Sequence, residues 1–294
     1  MIFCKRAVIL CIIEFAYNSY VCEITQKGIA MGLSFCSFSS GSSGNCYLIK
    51  SETTAILVDA GISVRKILNG LSQTGTTDEQ LEALLLTHEH SDHIKSLAPL
   101  MRKKNQLRAF ANELTWQAID KTIDPDRKYI FTPEEPFQIG DIGVNAFRVC
   151  HDAADPVGFS FYNDGKQISI VTDTGCFKEE MVEEIRNADL LVLEANHDVE
   201  MLKIGRYPWF LKQRILGDRG HLSNESAARM LVRLLSEHKK HRKILLAHLS
   251  KENNFPEMAY QTVKNILEEE EYYIGKHIEI NTIVRDEVSI VYQV

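Results

Sequence analysis

The run LLLTHEHSDHI, from Leu84 to Ile94, places His88, His90, Asp92 and His93 within six residues directly behind a short apolar stretch. A polar run at a strand end is ordinarily a solvated loop, and one histidine there would mean little. Four ligand-type groups in the pattern H-x-H-x-D-H are a different case. Imidazole and carboxylate bind borderline divalent metals, and a loop leaving a strand can send His88 and His90 to one side and Asp92 and His93 to the other. That division makes two half-sites, so the fold must bring further ligands to the same rim.

The chain has 294 residues and 45% hydrophobic content, enough for a well-buried core and against disorder. A net charge of −7 argues against general coating of nucleic acid but leaves room for a local basic groove. The seven cysteines include no C-x-x-C pair, which fits a reducing cytoplasm. Residues 1–30 read as a poor signal peptide, because the apolar run after Lys5 and Arg6 meets Glu14 and no small-x-small site follows. That run is too short to span a bilayer. The expectation is a dispensable extension over 1–30, a start at Met31, and one catalytic domain over 31–294, cytoplasmic and without membrane association.

From Met31 on, β-rich runs alternate with amphipathic segments. Strands are expected at Leu33–Phe38, Cys46–Lys50, Ala55–Val58, Leu84–Leu86 and Arg108–Ala111, with helices at Ser63–Leu71, Ser91–Lys104 and Glu113–Lys121. The middle is antiparallel in character: Ile142–Val149, Val157–Asn163 and Gln167–Thr172, the last two joined by the turn NDGK. Alternation then returns with helices Lys178–Asn187, Asn224–Glu237 and Pro256–Glu270 around strands Leu190–Leu193 and Ile244–Ala247, ahead of two terminal strands. The fold class is α/β, with two sheets sandwiched between helices.

If the Leu84 motif binds metal, the remaining ligands belong at other strand ends. His151 ends VNAFRVCH, Asp173 follows the apolar part of ISIVTDTG, and His248 follows KILLA. Each alone reads as a surface or satisfied core residue. Joined to the motif they make five imidazoles and two carboxylates, a set suited to two divalent ions roughly 3.5–4 Å apart. Nitrogen and oxygen donors without thiolate accept zinc, manganese or iron.

This order of ligands resembles the metallo-β-lactamase fold superfamily over residues 31–294, and that resemblance implies an αββα four-layer sandwich. SSGSSGN, LVLEANHD, GRYPWFLKQRI and GDRGHLSNE are similar to its WalJ/YycJ branch, which implies a 5′-to-3′ DNA exonuclease using a metal-bridging hydroxide. The resemblance assigns His88, His90 and His151 to one ion, Asp92, His93 and His248 to the other, and Asp173 to both. It makes Asp59 a residue that orients the histidine loop; a helix cap or turn is the alternative. ADLLVLEAN and GHLSNESA look like the paired loops of ribonuclease Z, where a glutamate orients a proton-donating histidine. Mapped here the pair is Glu194 and His221, with His197 the next donor to consider and helix capping the plainer role for the His221 loop.

From Lys203 to Arg219, between those loops, Lys203, Arg206, Lys212, Arg214 and Arg219 stand against Asp218 in an otherwise acidic chain. Arg206, Lys212, Arg214 and Arg219 are candidate phosphate contacts, with Tyr207 or Trp209 as a stacking face; the alternative is a solvated helix with buried aromatics. The loop carrying Ser42, Ser43 and Asn45 is a weaker candidate for a terminal phosphate. DNA is the expected partner. The alternatives are a cyclic phosphodiesterase, or a regulatory protein tied to the cell-wall two-component system that the resemblance implies.

Overall fold

The structure is a computed structural model that describes residues 32–294. The expectations for 1–30 and Met31 lie outside the described residues. The first sheet runs β1 (Ser34–Ser39), β2 (Cys46–Lys50), β3 (Ala55–Val58), β4 (Leu81–Leu85), β5 (Arg108–Ala111) and β6 (Lys128–Ile130) in sequential order. The second runs β7 (Phe137–Ile139), β8 (Ile142–Arg148), β9 (Val157–Asn163), β10 (Lys166–Val171), β11 (Leu190–Glu194), β12 (Lys243–Ala247) and β13 (Glu279–Thr282), also in order. β14 (Tyr292–Gln293) returns to pair antiparallel with β1.

The layers follow from which face of each strand is apolar. In β11 the run LLVL is hydrophobic on both faces, as a buried parallel strand must be. Leu190 and Val192 join Ile56, Leu85, Phe159 and Ile170 between the sheets. Leu191 and Leu193 face the helix side, packing with residues of α5 (Glu179–Ile185), α8 (Asn224–Glu237) and α9 (Pro256–Glu269). On the first sheet, Leu48, Leu57 and Leu84 pack under α1 (Val64–Gln73), α3 (Leu97–Lys103) and α4 (Glu113–Ala118). The result is the αββα sandwich. Between β9 and β10, Asp164 and Gly165 both take positive φ (47° and 72°), the type I′ hairpin expected of NDGK.

Some boundaries differ from the sequence reading. The helix expected over Ser91–Lys104 is two pieces, α2 (Ser91–Ile94) and α3, because Pro99 tolerates only the first turn of a helix. The break lets Ser96 N donate to Ala60 O at 2.8 Å, tying the segment to the end of β3. Two further helices, α6 (Val199–Ile204) and α7 (Trp209–Leu216), form an arm between β11 and α8 that the periodicity did not give. Their apolar residues point both ways and leave no single hydrophobic stripe. Among the described residues no helix is long and apolar enough to cross a membrane.

Candidate metal centre

Three of the expected site residues stand just past strand ends in left-handed backbone: Asp59 after β3 (φ 62°), Asp173 after β10 (φ 55°) and His248 after β12 (φ 55°). Non-glycine residues rarely adopt this region, and the turn aims each side chain off the strand axis toward one rim. The histidine loop after β4 is pressed against the loop after β3. A Cβ on Gly61 would lie 1.6 Å from Asp92 O, so only glycine permits this approach. Ala60 N donates to His93 O and Asn45 N to Asp92 O, fixing the loop from both sides.

On this first half, Asp59 is fully buried, and its Oδ2 lies 2.7 Å from His93 Nδ1. Thr87 donates its N–H and Oγ1–H to the same carboxylate, and Thr87 Oγ1 is 3.0 Å from His88 Nδ1. Asp59 is thus the orienting residue; α1 is capped by Ser63. Thr87 was absent from the sequence reading, although its place directly before His88 is the signal that marks it.

On the second half, His151 Nδ1 lies 3.2 Å from Gly220 O. Glu194 Oε1 lies 2.8 Å from His221 Nδ1 and 2.7 Å from His248 Nδ1, while Oε2 accepts from Thr174 N at 2.8 Å. The helix after His221 is capped by Ser223, whose side chain accepts from Ser226 N, so His221 is not needed as a cap. Five histidines, His88, His93, His151, His221 and His248, therefore have Nδ1 held by an outer acceptor. Their Nε2 atoms are left for the interior, the arrangement that orients metal-ligating imidazoles.

The inward atoms converge. Ligand atoms of His88, His90 and His151 lie within 4.8 Å of one another, as do those of Asp92, His93 and His248. Asp173 sits between the two groups: its carboxylate is 3.5 Å from His93 Nε2, 3.5 Å from His248 Nε2 and 3.9 Å from His151 Nε2. His88 Nε2, His248 Nε2 and Asp173 Oδ2 are buried without a hydrogen-bond partner. Orphaned polar atoms carry a desolvation penalty that bound cations remove, so the donor set fits divalent ions.

Charge in the cluster is uneven. Burial holds His88 well below the usual imidazole range. Burial would lower His93 too, but the carboxylates of Asp59 and Asp173 raise it to about 10. Burial would raise Glu194, yet the charge and hydrogen bond of His221 and the bond to His248 bring it to about 2. Burial likewise opposes the charged form of His221, and Glu194 overrides it, raising the imidazole to about 9. His197 is 1% exposed, neither ring nitrogen has a hydrogen-bond partner among the described residues, and burial lowers it to about 4. It does not line the cavity and is not placed to protonate a substrate.

That cavity, about 230 Å³, opens over the centre and is walled by Ser42, Tyr207, Leu211, Arg214, Ile215 and Ser250. Several expected phosphate contacts are used by the protein itself. Lys212 is buried, and its Nζ donates to Lys203 O at 2.6 Å and Gly205 O at 2.7 Å, closing the end of α6. Arg214 is paired with Asp152, and Arg219 donates to His151 O. Asn45 is buried, with Oδ1 accepting from Gly41 N and Nδ2 3.0 Å from His93 Nε2. Ser42 and Ser43 are exposed, and Arg206 is exposed without a partner among the described residues. Asp152 was missed by the sequence reading: it lines the cavity, and its Oδ1 is 3.4 Å from His151 Nε2.

Residues 54–248 match the family model for the beta-lactamase superfamily domain. The chain is 42% identical over 254 residues to the exodeoxyribonuclease YycJ of Bacillus anthracis, covering 85% of this chain and 95% of that one. It is 42% identical over 250 residues to the exodeoxyribonuclease WalJ of Streptococcus pneumoniae, covering 83% and 92%. The crystal structure of the metallo-beta-lactamase fold protein YhfI from Bacillus subtilis superposes with a TM-score of 0.67 at 19% identity, over 90% of this chain and 99% of the other, a likeness of fold.

Proposed function

The chain belongs to the beta-lactamase superfamily and is a metal-dependent hydrolase, and from that premise we propose that it is a DNA exonuclease working in the 5′-to-3′ direction. His88, His90 and His151 would hold one divalent ion, Asp92, His93 and His248 the other, and Asp173 both. Such ions, zinc or manganese by their donor set, supply Lewis acidity toward a phosphoryl oxygen and lower the pKa of water.

The chain's own contribution is the proton. When water oxygen bonds to phosphorus and the P–O bond to the leaving sugar breaks, that oxygen needs a proton. His221 has Nδ1 tied to Glu194 and lines the cavity, so its Nε2 is the nitrogen that faces a substrate. The charge and hydrogen bond of the glutamate favour the protonated imidazole, the form that can give a proton to the leaving oxygen. Thr87, Asp59 and the Gly220 carbonyl keep His88, His93 and His151 from rotating.

The observation that carries the reading is the Glu194 carboxylate. It accepts from His248 and from His221, a residue outside the two triplets, and so joins the metal cluster to a proton donor. The test is purified protein with manganese or zinc on DNA labelled at the 5′ or the 3′ end, on RNA and on bis(p-nitrophenyl) phosphate, with products resolved by length. Mononucleotide release from the 5′ end of DNA is expected. Cleavage of the small ester with all polynucleotides left intact would refute the nuclease reading.

A further inference from the structure

We propose that the arm formed by α6 and α7 grips an unpaired strand of nucleic acid, stacking bases on Phe210 and Trp209 and holding phosphate at Arg206. The proposal rests on the nuclease reading and deepens it. One face of α7 belongs to the catalytic cavity, which Leu211, Arg214 and Ile215 line. Lys212 is buried, but the start of the helix turns large apolar side chains to solvent: Phe210 is 72% exposed and Trp209 63%, beside Ile204 at 84%. Phe210 stands one turn before Arg214, so the two share a stripe that runs from the cavity mouth outward. An exposed aromatic pair beside a catalytic opening needs an occupant.

Charge selects the occupant. Arg206 precedes the aromatics and is free, and Arg219 donates only to a neutral carbonyl, so neither guanidinium is neutralised by a carboxylate among the described residues. This local excess of positive charge sits in a chain whose net charge is −7. A contact with a second copy through this same face would set like charge against like charge, which repulsion opposes. A phosphodiester strand with exposed base faces meets both features at once: backbone charge at the arginines and a ring face at Phe210. Stacking requires the base to be unpaired, so the strand crosses the arm after leaving any duplex.

The experiment compares wild type, Phe210→Ala and Arg206→Gln by kcat/KM on a single-stranded oligonucleotide, the same oligonucleotide with abasic sites next to the cleaved end, and bis(p-nitrophenyl) phosphate. Metal content and Tm report whether each variant is folded. Phe210→Ala should lose roughly ten- to hundred-fold on the normal oligonucleotide, in line with the loss of one stacked base. It should lose nothing on the small ester, and abasic sites should slow it less than they slow wild type, with Trp209 as the remaining stacking face. Arg206→Gln should flatten the salt dependence of the oligonucleotide reaction. Equal loss on both substrates, or a sensitivity to abasic sites as large in the variant as in wild type, would overturn the proposal. So would a wild-type dimer that Phe210→Ala turns into monomer. If wild type cleaves the small ester but no polynucleotide, the nuclease reading and this one fall together; if it degrades DNA and Phe210→Ala matches it, this one alone falls.

Discussion

The two halves of the centre are built on the same plan with different outcomes. Each has a fully buried carboxylate behind its histidines, Asp59 after β3 and Glu194 at the end of β11. Asp59 contacts one imidazole, His93, and burial leaves its own carboxyl above the usual range. Glu194 contacts two, His248 and His221, and is held down to about 2. On the proposed reading the carboxylate of the first half orients only a metal ligand, whereas that of the second also holds His221, the proposed donor outside the two triplets. Architecture is shared between the halves, and reaction chemistry is concentrated in one.

Asp173 is the part that the comparison cannot divide, since its carboxylate approaches His93 from one half and His151 and His248 from the other. Asp173→Ala should have the largest effect: turnover falls to background and elemental analysis finds fewer ions per chain than in wild type. A variant that kept full metal occupancy would mean that neither ion depends on Asp173.

His221→Ala tests whether the second half alone supplies the proton. Metal content should stay at the wild-type level while DNA cleavage slows roughly 10²–10⁴-fold. A p-nitrophenyl phosphodiester, whose departing phenolate needs little protonation, should slow far less. The same factor on both substrates would give His221 a positioning role instead.

Conservative changes at the two buried carboxylates come next. Asp59→Asn should weaken metal binding by roughly 10–100-fold, the usual cost of losing a partner that orients a ligand. Saturating metal should restore its rate on DNA. Glu194→Gln should weaken metal binding similarly through His248, but saturating metal should leave a deficit on DNA that the p-nitrophenyl ester does not share. If metal rescues both variants fully, the difference between the halves is not chemical.

The same contrast explains what was legible in the sequence. The first half is contiguous, since one loop carries His88, His90, Asp92 and His93, and local spacing is what a sequence displays. His151, Asp173 and His248 were readable only because each follows an apolar strand. Asp152 was not, because its place depends on Arg214 of α7 reaching back across 62 positions. Two sheets between helices followed from strand periodicity, and the αββα sandwich from the family resemblance. The split before Pro99 was legible in the proline itself, whereas the two arm helices, without a single apolar stripe, were not. Counting cations in the arm also overstated its basic surface: the sequence gives a lysine's charge and not its direction.

Lys212 gives the smallest expected effect and the clearest check on that last point. It is 8% exposed, and its ammonium closes the carbonyls of Lys203 and Gly205, which the end of α6 leaves without helical partners. Lys212→Met keeps the aliphatic stem but removes the donors, leaving two carbonyls short of partners at a cost of about 1–3 kcal/mol. For a chain of this size each kcal/mol lowers Tm by roughly 2–4 °C. Metal content and the salt dependence of DNA cleavage should be those of wild type, because no phosphate contact is lost. A flattened salt dependence with unchanged Tm would return Lys212 to the substrate surface and show that the arm of the second half is more basic than its hydrogen bonds indicate.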